Sequence, residues 1–424
     1  MKTIKQWTED FSAGKIDPEL KKLYNVTEVN KNRYLEVLKG FEDHFGKDDR
    51  EVMLCSAPGR TEIGGNHTDH QHGRCLAGSV NLDIIAAVSV NGTDKVRVKS
   101  KGYSEDEIDI NDLEIHQEEI NKSASLIRGV LKKFSEKGCK LAGIDVYTTS
   151  NVLKGSGLSS SAAYEVLIAS VINHLFNEDK STPVEIAGIS QYAESVYFGK
   201  PCGLLDQTAS AAGNMVEMDF DDPKNPKITN VDFDFSKSGH ALCIIDTGAD
   251  HSDLTDEYAA IPNELKIISN YYGKDVLREV PKEVFMADIP KLRSIAGDRA
   301  VLRGVHFYND DARVPKQVEA LKNKDFDEFL KLVNESGRSS WMYLQNVVPA
   351  GCKKHQDVAL ALMLCENFLK GKGAFRVHGG GFAGTVQAFV PFDLLDEFKS
   401  GIEAVLGENS CHVLSIRPAG FHIM

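Results

Sequence analysis

The sequence predicts an α+β protein of two lobes, and three observations lead there. The chain has 424 residues, 42% of them hydrophobic, which is enough apolar material for more than one core and sets a prior of two or three domains. Runs with strand character and runs with helical periodicity are interspersed without strict β-α alternation. Neither an internal repeat nor a low-complexity tract interrupts the pattern. The division is placed near residue 215, giving an N-terminal domain over 1–215 and a C-terminal domain over 216–424.

The elements follow in chain order. Residues 1–50 are polar and rich in Lys and Glu, with patchy periodicity around Tyr34, Leu35, Val37, Leu38 and Phe41, so one or two amphipathic helices are expected ahead of the main fold. Residues 52–57 predict a short strand ended by Pro58-Gly59. Residues 84–90 and 96–100 read as paired strands, with Asn91-Gly92 as the hairpin signal. Residues 126–137 look helical and 143–149 look like a strand. A glycine- and serine-rich loop, Gly155 to Ser161, opens an apolar helix over 162–175, and a further helix ends near Gly199-Lys200-Pro201. Residues 213–246 return to strand character. Residues 253–345 are mostly helical, with breaks expected at Pro262, Pro281, Pro290 and Pro315. Late in the chain, residues 375–378 run into Gly379-Gly380-Gly381-Phe382-Ala383-Gly384, and a strand is expected over 385–390.

Charge and cysteine usage exclude several classes of function. A net charge of −13 and the lack of a Lys/Arg-rich block leave no basic stripe to displace counterions, so no nucleic-acid partner is expected. The same acidity opposes docking on anionic lipid, and no stretch reaches the apolar length of a membrane span. The opening Met1-Lys2-Thr3-Ile4-Lys5-Gln6-Trp7 lacks the apolar core of a signal peptide. Eight scattered cysteines form no C-x-x-C pair and read as mostly buried thiols of a reducing compartment, so a cytoplasmic location is expected. A mobile nucleotide needs only a local pocket of amides or cations, and the acidity does not exclude one.

Four segments carry chemistry. In Lys154-Gly155-Ser156-Gly157-Leu158-Ser159-Ser160-Ser161, glycines allow close backbone approach to an anion, and the following helix supplies free amides and a partial positive charge. It is neither a Walker A loop nor a dinucleotide fingerprint, and the alternative is a Ser-capped helix after a turn. In the second segment, Gly59 to Gly73, two chemistries compete. His67, Asp69, His70 and His72 could bind zinc, or carboxylate, amide and imidazole could bind a polyol with Arg60 facing a phosphate. A solvated turn is the third possibility. In the third, Gly203-Leu204-Leu205-Asp206-Gln207, Asp206 is either a helix cap or a group that orients a hydroxyl for attack on phosphorus. The fourth, Gly379 to Gly384, is by itself a tight turn.

Taken together, Ala57-Pro58-Gly59-Arg60 with His67-Thr68-Asp69, the serine loop through Ala162, Gly203 to Gln207, and His378 to Gly384 resemble the galacto-, homoserine, mevalonate and phosphomevalonate (GHMP) kinase superfamily, and galactokinases most closely. The order and spacing match over nearly the whole chain from about residue 20. The resemblance implies two α+β lobes with the active site between them and a monosaccharide 1-kinase using ATP and Mg²⁺. By it, Gly155, Ser156, Gly157, Leu158, Ser159, Ser160 and Ser161 wrap the ATP phosphates, with Ser161 and Glu194 as Mg²⁺ ligands. Asp206 contacts the attacking hydroxyl and Arg60 neutralises charge beside it. His67, Asp69 and Gly203 belong to the sugar site, Tyr258 closes it, and the late glycine loop supports the phosphate loop. The zinc reading recedes, since the same His and Asp now have sugar-binding roles.

The first motif departs from the galactokinase pattern Gly-Arg-Val-Asn-Leu-Ile-Gly-Glu-His-Thr-Asp-Tyr. Asn66 stands where that family places the Glu that contacts the sugar 6-hydroxyl, and His70 replaces Tyr. A neutral amide facing that carbon no longer repels a carboxylate. Galactose is the first expected substrate, with galacturonate, arabinose or an N-acetylated sugar such as N-acetylgalactosamine behind it. A monomer is favoured, and a sugar- and ATP-sensing regulator without turnover is the non-enzymatic alternative.

Overall fold

The computed structural model describes all residues except 25, 48, 154–156, 201 and 249–253. In chain order the strands are β1 (Lys2–Thr3), β2 (Glu51–Gly64), β3 (Arg74–Val90), β4 (Lys95–Ser100), β5 (Glu105–Asp109), β6 (Ile144–Ser150), β7 (Met215–Asp219) and β8 (Lys227–Val231). They continue with β9 (His240–Asp246), β10 (Ala374–His378), β11 (Thr385–Pro391), β12 (Cys411–Leu414) and β13 (His422–Ile423). The first sheet runs β1-β2-β3-β6-β4-β5, with β13 beside β2 and the β7-β8 pair beside the start of β3. The second is a four-stranded sheet of order β10-β11-β9-β12.

Alternation along β2 and β3 explains how the first sheet is covered on both faces. Met53, Cys55, Ala57, Ala86 and Val88 point into the main core, where the helices Ser123–Glu136 and Ser160–Phe176 pack. Val52, Leu54, Ile85 and Ala87 point the other way, against Trp7, Phe11, Leu20, Leu23, Tyr34 and Phe41 of three N-terminal helices, Ile4–Ser12, Asp17–Tyr24 and Glu28–Phe45. Three helices stand here where one or two were expected. The second sheet is likewise two-sided. Cys243, Ile245, Val386 and Ala388 meet the helices Asp357–Leu369 and Leu395–Leu406, while Leu242, Ile244 and Phe389 join the main core. The result is a mixed α and β architecture built on two sheets, as the sequence predicts.

Several local expectations are corrected. β2 does not end at Pro58-Gly59; it continues to Gly64, with register shifts at Pro58/Arg60 and Glu62/Gly64 that accommodate the proline. β3 and β4 do not form a hairpin. β6 lies between them, antiparallel to β3 and parallel to β4, and β4 turns back on β5 instead. Asn91 steers this path, because its side-chain amide donates to the Lys95 carbonyl and to Asp145 of β6. Pro262 lies inside the helix Thr255–Tyr271, and Pro315 inside Ile289–Lys322, which kinks instead at Gly297 (φ 83°). Pro281 and Pro290 stand at helix starts. Residues 215–231 pair within the first sheet, so the change of sheet falls between Val231 and His240. Among the described residues no helix is long and apolar enough to cross a membrane.

Candidate active site

Four segments that are distant in sequence converge at the sheet ends. β2 delivers Arg60 and Glu62, and the turn after it delivers Asn66, His67, Asp69 and His70. The helix Leu205–Ala212 carries Asp206 in its first turn, and the glycine loop 379–384 joins β10 to β11. Together with Lys200, Cys202 and Gly203 they enclose a cavity of about 290 Å³.

Asp206 is held from two sides. Arg60 Nε and Nη2 lie 2.6 and 2.5 Å from its Oδ1, and the Ser159 hydroxyl donates to Oδ2. The Arg60 side chain is 9% exposed and that of Asp206 33%, so the carboxylate keeps an open side toward the cavity. Arg60 also donates to the Gly157 carbonyl, tying the Arg60–Asp206 pair to the glycine- and serine-rich loop. Asp206 therefore faces a hydroxyl and a guanidinium and does not act as a simple helix cap.

Of the phosphate loop, Gly155 and Ser156 lie outside the described residues. Gly157 has φ 67°, and a Cβ there would come within 3.1 Å of His378 and 3.2 Å of Thr385. Leu158 is fully buried, and its carbonyl accepts from the Arg60 amide at 3.0 Å. That approach requires Gly59, where a Cβ would sit 2.7 Å from the same carbonyl. Ser159 adopts the left-handed region (φ 53°), a strained choice for serine that turns its hydroxyl onto Asp206. The helix Ser160–Phe176 follows with no acidic residue in its first turn, and its first internal bond runs from Ala163 N to Ser159 O at 3.1 Å. The amides of residues 160–162 thus precede the helical ladder and can meet an anion.

Ser161 Oγ lies 3.5 Å from Glu194 Oε1. Glu194 sits in the π-helical turn Ala193–Phe198, an irregularity that aims its side chain back at the loop. Lys200 Nζ is 3.1 Å from Glu194 Oε1, and Gln207 Nε2 bridges Glu194 Oε2 (2.8 Å) and Glu165 Oε2 (3.2 Å). Glu165 is fully buried and its Oε1 has no partner among the described residues; burial, then the charge of Glu194, push its carboxyl well above the ordinary range. A hydroxyl and a carboxylate beside an amide-rich anion site are hard oxygen donors, and they fit a Mg²⁺ that keeps water and phosphate as its other ligands. Among the described residues no group of three or more His, Cys, Asp or Glu is arranged to hold a metal.

The sugar-side residues divide. His67, Asp69 and Gly203 line the cavity. His67 accepts its place from the Gly380 carbonyl 2.9 Å from Nε2, so its proton stands on Nε2; burial, then neighbouring His70, hold its pKa down to about 4. Gly203 is glycine because a Cβ would meet Asp69 Oδ2 at 2.5 Å. Asn66 corrects the expectation. It is fully buried and absent from the cavity wall. Its Nδ2 donates to Glu62 Oε1 (3.0 Å) and the Gly379 carbonyl (2.8 Å), and its Oδ1 accepts from Ser340 (3.1 Å) and Asn346 (2.9 Å). With its hydrogen-bonding capacity used inside the protein, Asn66 does not face a sugar, and the ground it gave for acidic sugars falls away. Tyr258 does not line the cavity either; its hydroxyl donates to the Gly381 carbonyl at 2.9 Å and its ring lies on Gly380, so it braces the glycine loop that forms the wall.

Two features stand outside the site residues assigned from sequence, although Glu62, with His70, is the next candidate there should Asn66 not face the sugar. Glu62 lines the cavity, and burial pushes its carboxyl up to about 7 against the pull of Arg376 and Arg60. A second cavity of about 650 Å³ opens at Ser160, bounded by Ser100, Tyr103, Thr148, Ser150, Asn151 and Tyr164. The run Thr148-Thr149-Ser150-Asn151, polar at the end of a buried strand and just before the phosphate loop, was the available signal.

Comparison with known proteins agrees with this geometry. The galactokinase galactose-binding signature matches residues 39–90, and the GHMP kinases N terminal domain matches 125–214. A galactokinase of Glaesserella parasuis is 30% identical over 361 residues, 85% of this chain and 90% of that protein. One of Thermotoga petrophila is 30% identical over 79% of this chain and 88% of its own length. The fold matches Lactococcus lactis galactokinase complexed with galactose at a TM-score of 0.76 and 22% identity, covering 91% of this chain and 98% of that one. It matches Methanococcus jannaschii mevalonate kinase at 0.62 and 13%, over 86% and 98%. With that identity sustained across most of both sequences, and the signature lying on the strand and turn that wall the cavity, the chain belongs to the galactokinase family, a sugar-kinase branch of the GHMP kinases.

Proposed function

We propose that this enzyme transfers the γ-phosphoryl group of ATP to the anomeric hydroxyl of a monosaccharide, galactose first, giving the sugar 1-phosphate and ADP. The observation that carries this reading is Asp206, paired with Arg60 through one oxygen and with the Ser159 hydroxyl through the other, where the small cavity meets the phosphate loop. A sugar hydroxyl entering the cavity takes over the Ser159 position at Oδ2. Its oxygen then bonds to the γ-phosphorus as the bond to the β,γ-bridging oxygen breaks. The hydroxyl proton leaves along its hydrogen bond to Asp206, and ADP departs with the electron pair. Arg60 offsets charge on both Asp206 and the moving phosphoryl group.

His67, Asp69 and Gly203 bound the sugar, and the amides of residues 160–162 receive the phosphates. The larger cavity beside Ser160 suits the nucleoside. Mg²⁺, when bound, supplies charge neutralisation on the β- and γ-phosphates, held by Ser161 and Glu194. The names of the relatives and the galactose in the Lactococcus structure support galactose, and eight free thiols support a cytoplasmic enzyme. Galactose, ATP and Mg²⁺ with the purified protein are expected to give ADP and galactose 1-phosphate, read by coupled ADP release and ³¹P NMR. ATP binding without turnover on any sugar of a monosaccharide panel would replace the kinase with a sensor.

A further inference from the structure

Among the described residues the small cavity presents three carboxylates, Glu62, Asp69 and Asp206. Asp206 is engaged on both oxygens, by Arg60 and by Ser159. Asp69 lies against Gly203, and 3.9 Å from His70. Glu62 differs from both. Its Oε1 receives two hydrogen bonds from behind, from Arg376 Nη2 at 2.7 Å and Asn66 Nδ2 at 3.0 Å, and its Oε2 makes none to a described residue. The residue is 7% exposed, and it borders the cavity.

What holds Glu62 is itself fixed. Arg376 is fully buried, with Nη1 on the Ile63 carbonyl (2.9 Å) and Nε on the Val377 carbonyl (3.0 Å). The Glu62 amide donates to His378 at 3.2 Å, and its carbonyl accepts from Gln387 at 3.0 Å. A carboxylate immobilised at one oxygen and open at the other is a preorganised acceptor for a hydroxyl. Against the galactokinase pattern, acid and amide have exchanged places: the pattern's Asn aligns with Glu62 and its Glu with Asn66. The two side chains still bond each other, but here the acid borders the cavity and the amide stands behind it.

We infer that Glu62 is the specificity-determining residue of the sugar cavity, its open oxygen accepting a hydrogen bond from one sugar hydroxyl. It thereby selects a neutral aldose bearing that hydroxyl over a deoxy sugar or an acid sugar, whose carboxylate brings a second acceptor and no proton. The inference rests on the sugar-kinase reading above.

The test is kcat/KM for galactose and its 2-, 3-, 4- and 6-deoxy analogues in the wild type and in Glu62→Gln, which keeps the acceptor for Arg376 and Asn66. One deoxy sugar is expected to lose about 10- to 100-fold in the wild type, and that loss alone is expected to shrink to about threefold or less in Glu62→Gln. Glu62→Asp, which keeps the charge but withdraws it by one methylene, is expected to raise KM for galactose with kcat nearly retained, and it serves if the glutamine variant does not fold. All deoxy penalties unchanged in a folded Glu62 variant would overturn the inference and leave the kinase reading intact. A wild type inactive on galactose is carried through the same comparison with whichever sugar the monosaccharide panel identifies, and absence of binding or turnover for every sugar overturns both.

Discussion

The two cavities of the candidate site are built on opposite plans. The smaller, about 290 Å³, is walled by charge: Arg60, Lys200, Glu62, Asp69 and Asp206 with two histidines. The larger, about 650 Å³, is walled mainly by hydroxyls and amides from Ser100, Tyr103, Thr148, Thr149, Ser150, Asn151 and Tyr164, with its few charges among Arg33, Glu36, Lys101 and Asp106. Paired charges in a confined space interact strongly with charge that develops in a reaction, whereas neutral dipoles discriminate shape and hydrogen-bonding pattern. The difference teaches where to look for rate and where to look for affinity. Substitutions at the reacting end of the small cavity, at Asp206 above all, should change kcat, those at its sugar-selecting wall, such as Glu62, the KM for the sugar, and those in the large one the KM for ATP.

The largest expected effect is at Asp206. Asp206→Asn keeps an oxygen for Arg60 but removes the negative charge and the second, proton-accepting oxygen, and is expected to lower kcat by about 10³-fold while the melting temperature moves little, by steady-state kinetics and calorimetry. A kcat within threefold of wild type would return Asp206 to the status of a helix cap. Next comes Glu194→Gln, expected to lower kcat by about 10²-fold and to raise the Mg²⁺ concentration needed for half-maximal rate, measured by titrating Mg²⁺ at saturating ATP. An unchanged Mg²⁺ dependence would take Glu194 out of the metal site.

The third prediction concerns two small-cavity groups of opposite sign. Glu62 is raised from 4.5 to about 7 in the folded protein, so between those values the folded state holds a proton that the unfolded chain has lost, and stability falls as pH rises. His67 is lowered from 6.5 to about 4, so the unfolded chain is the proton holder there and stability rises with pH. The two offset each other from pH 4.5 to 6.5. Urea unfolding across that window is expected to tilt upward with pH in Glu62→Gln and downward in His67→Gln relative to wild type, by on the order of 1–3 kcal/mol. Parallel profiles would show that neither shift exists. The smallest effect belongs to the large cavity. The Tyr164 hydroxyl is buried there with no partner among the described residues. Tyr164→Phe is expected to raise the KM for ATP a few-fold, leave kcat alone, and stabilise the free protein by up to about 1 kcal/mol. A drop in kcat of tenfold or more would erase the distinction between the cavities.

Much of this site was legible in the sequence because loops that hold anions carry local signatures. Glycine at 59 and 157 and serines before an apolar helix are needed for close backbone approach, and they are visible without tertiary structure. Asp206 with Arg60 was likewise legible through the family pattern. What sequence hid was direction. β2 carries two bulges between Pro58 and Gly64, and each breaks the period-2 alternation, so the faces of Glu62 and Asn66 cannot be counted from either end. The insertion of β6 between β3 and β4 was hidden for a related reason, since Asn91-Gly92 signals a turn but not which strand lies across it. The larger cavity draws on β4, β6 and three helices, and only their docking brings those hydroxyls together.

Before any sugar arrives, the attacking group's place at Asp206 is occupied by the enzyme's own Ser159, a hydroxyl forced into a left-handed backbone to reach it. A single water seeking the same position must displace a tethered hydroxyl and brings only one oxygen to a cavity also lined by His67 and Asp69. A sugar brings several hydroxyls at once and can make the exchange. On the kinase reading proposed above, Ser159 is a placeholder at Asp206 that would discourage idle ATP hydrolysis and make phosphoryl transfer conditional on the arrival of a polyol.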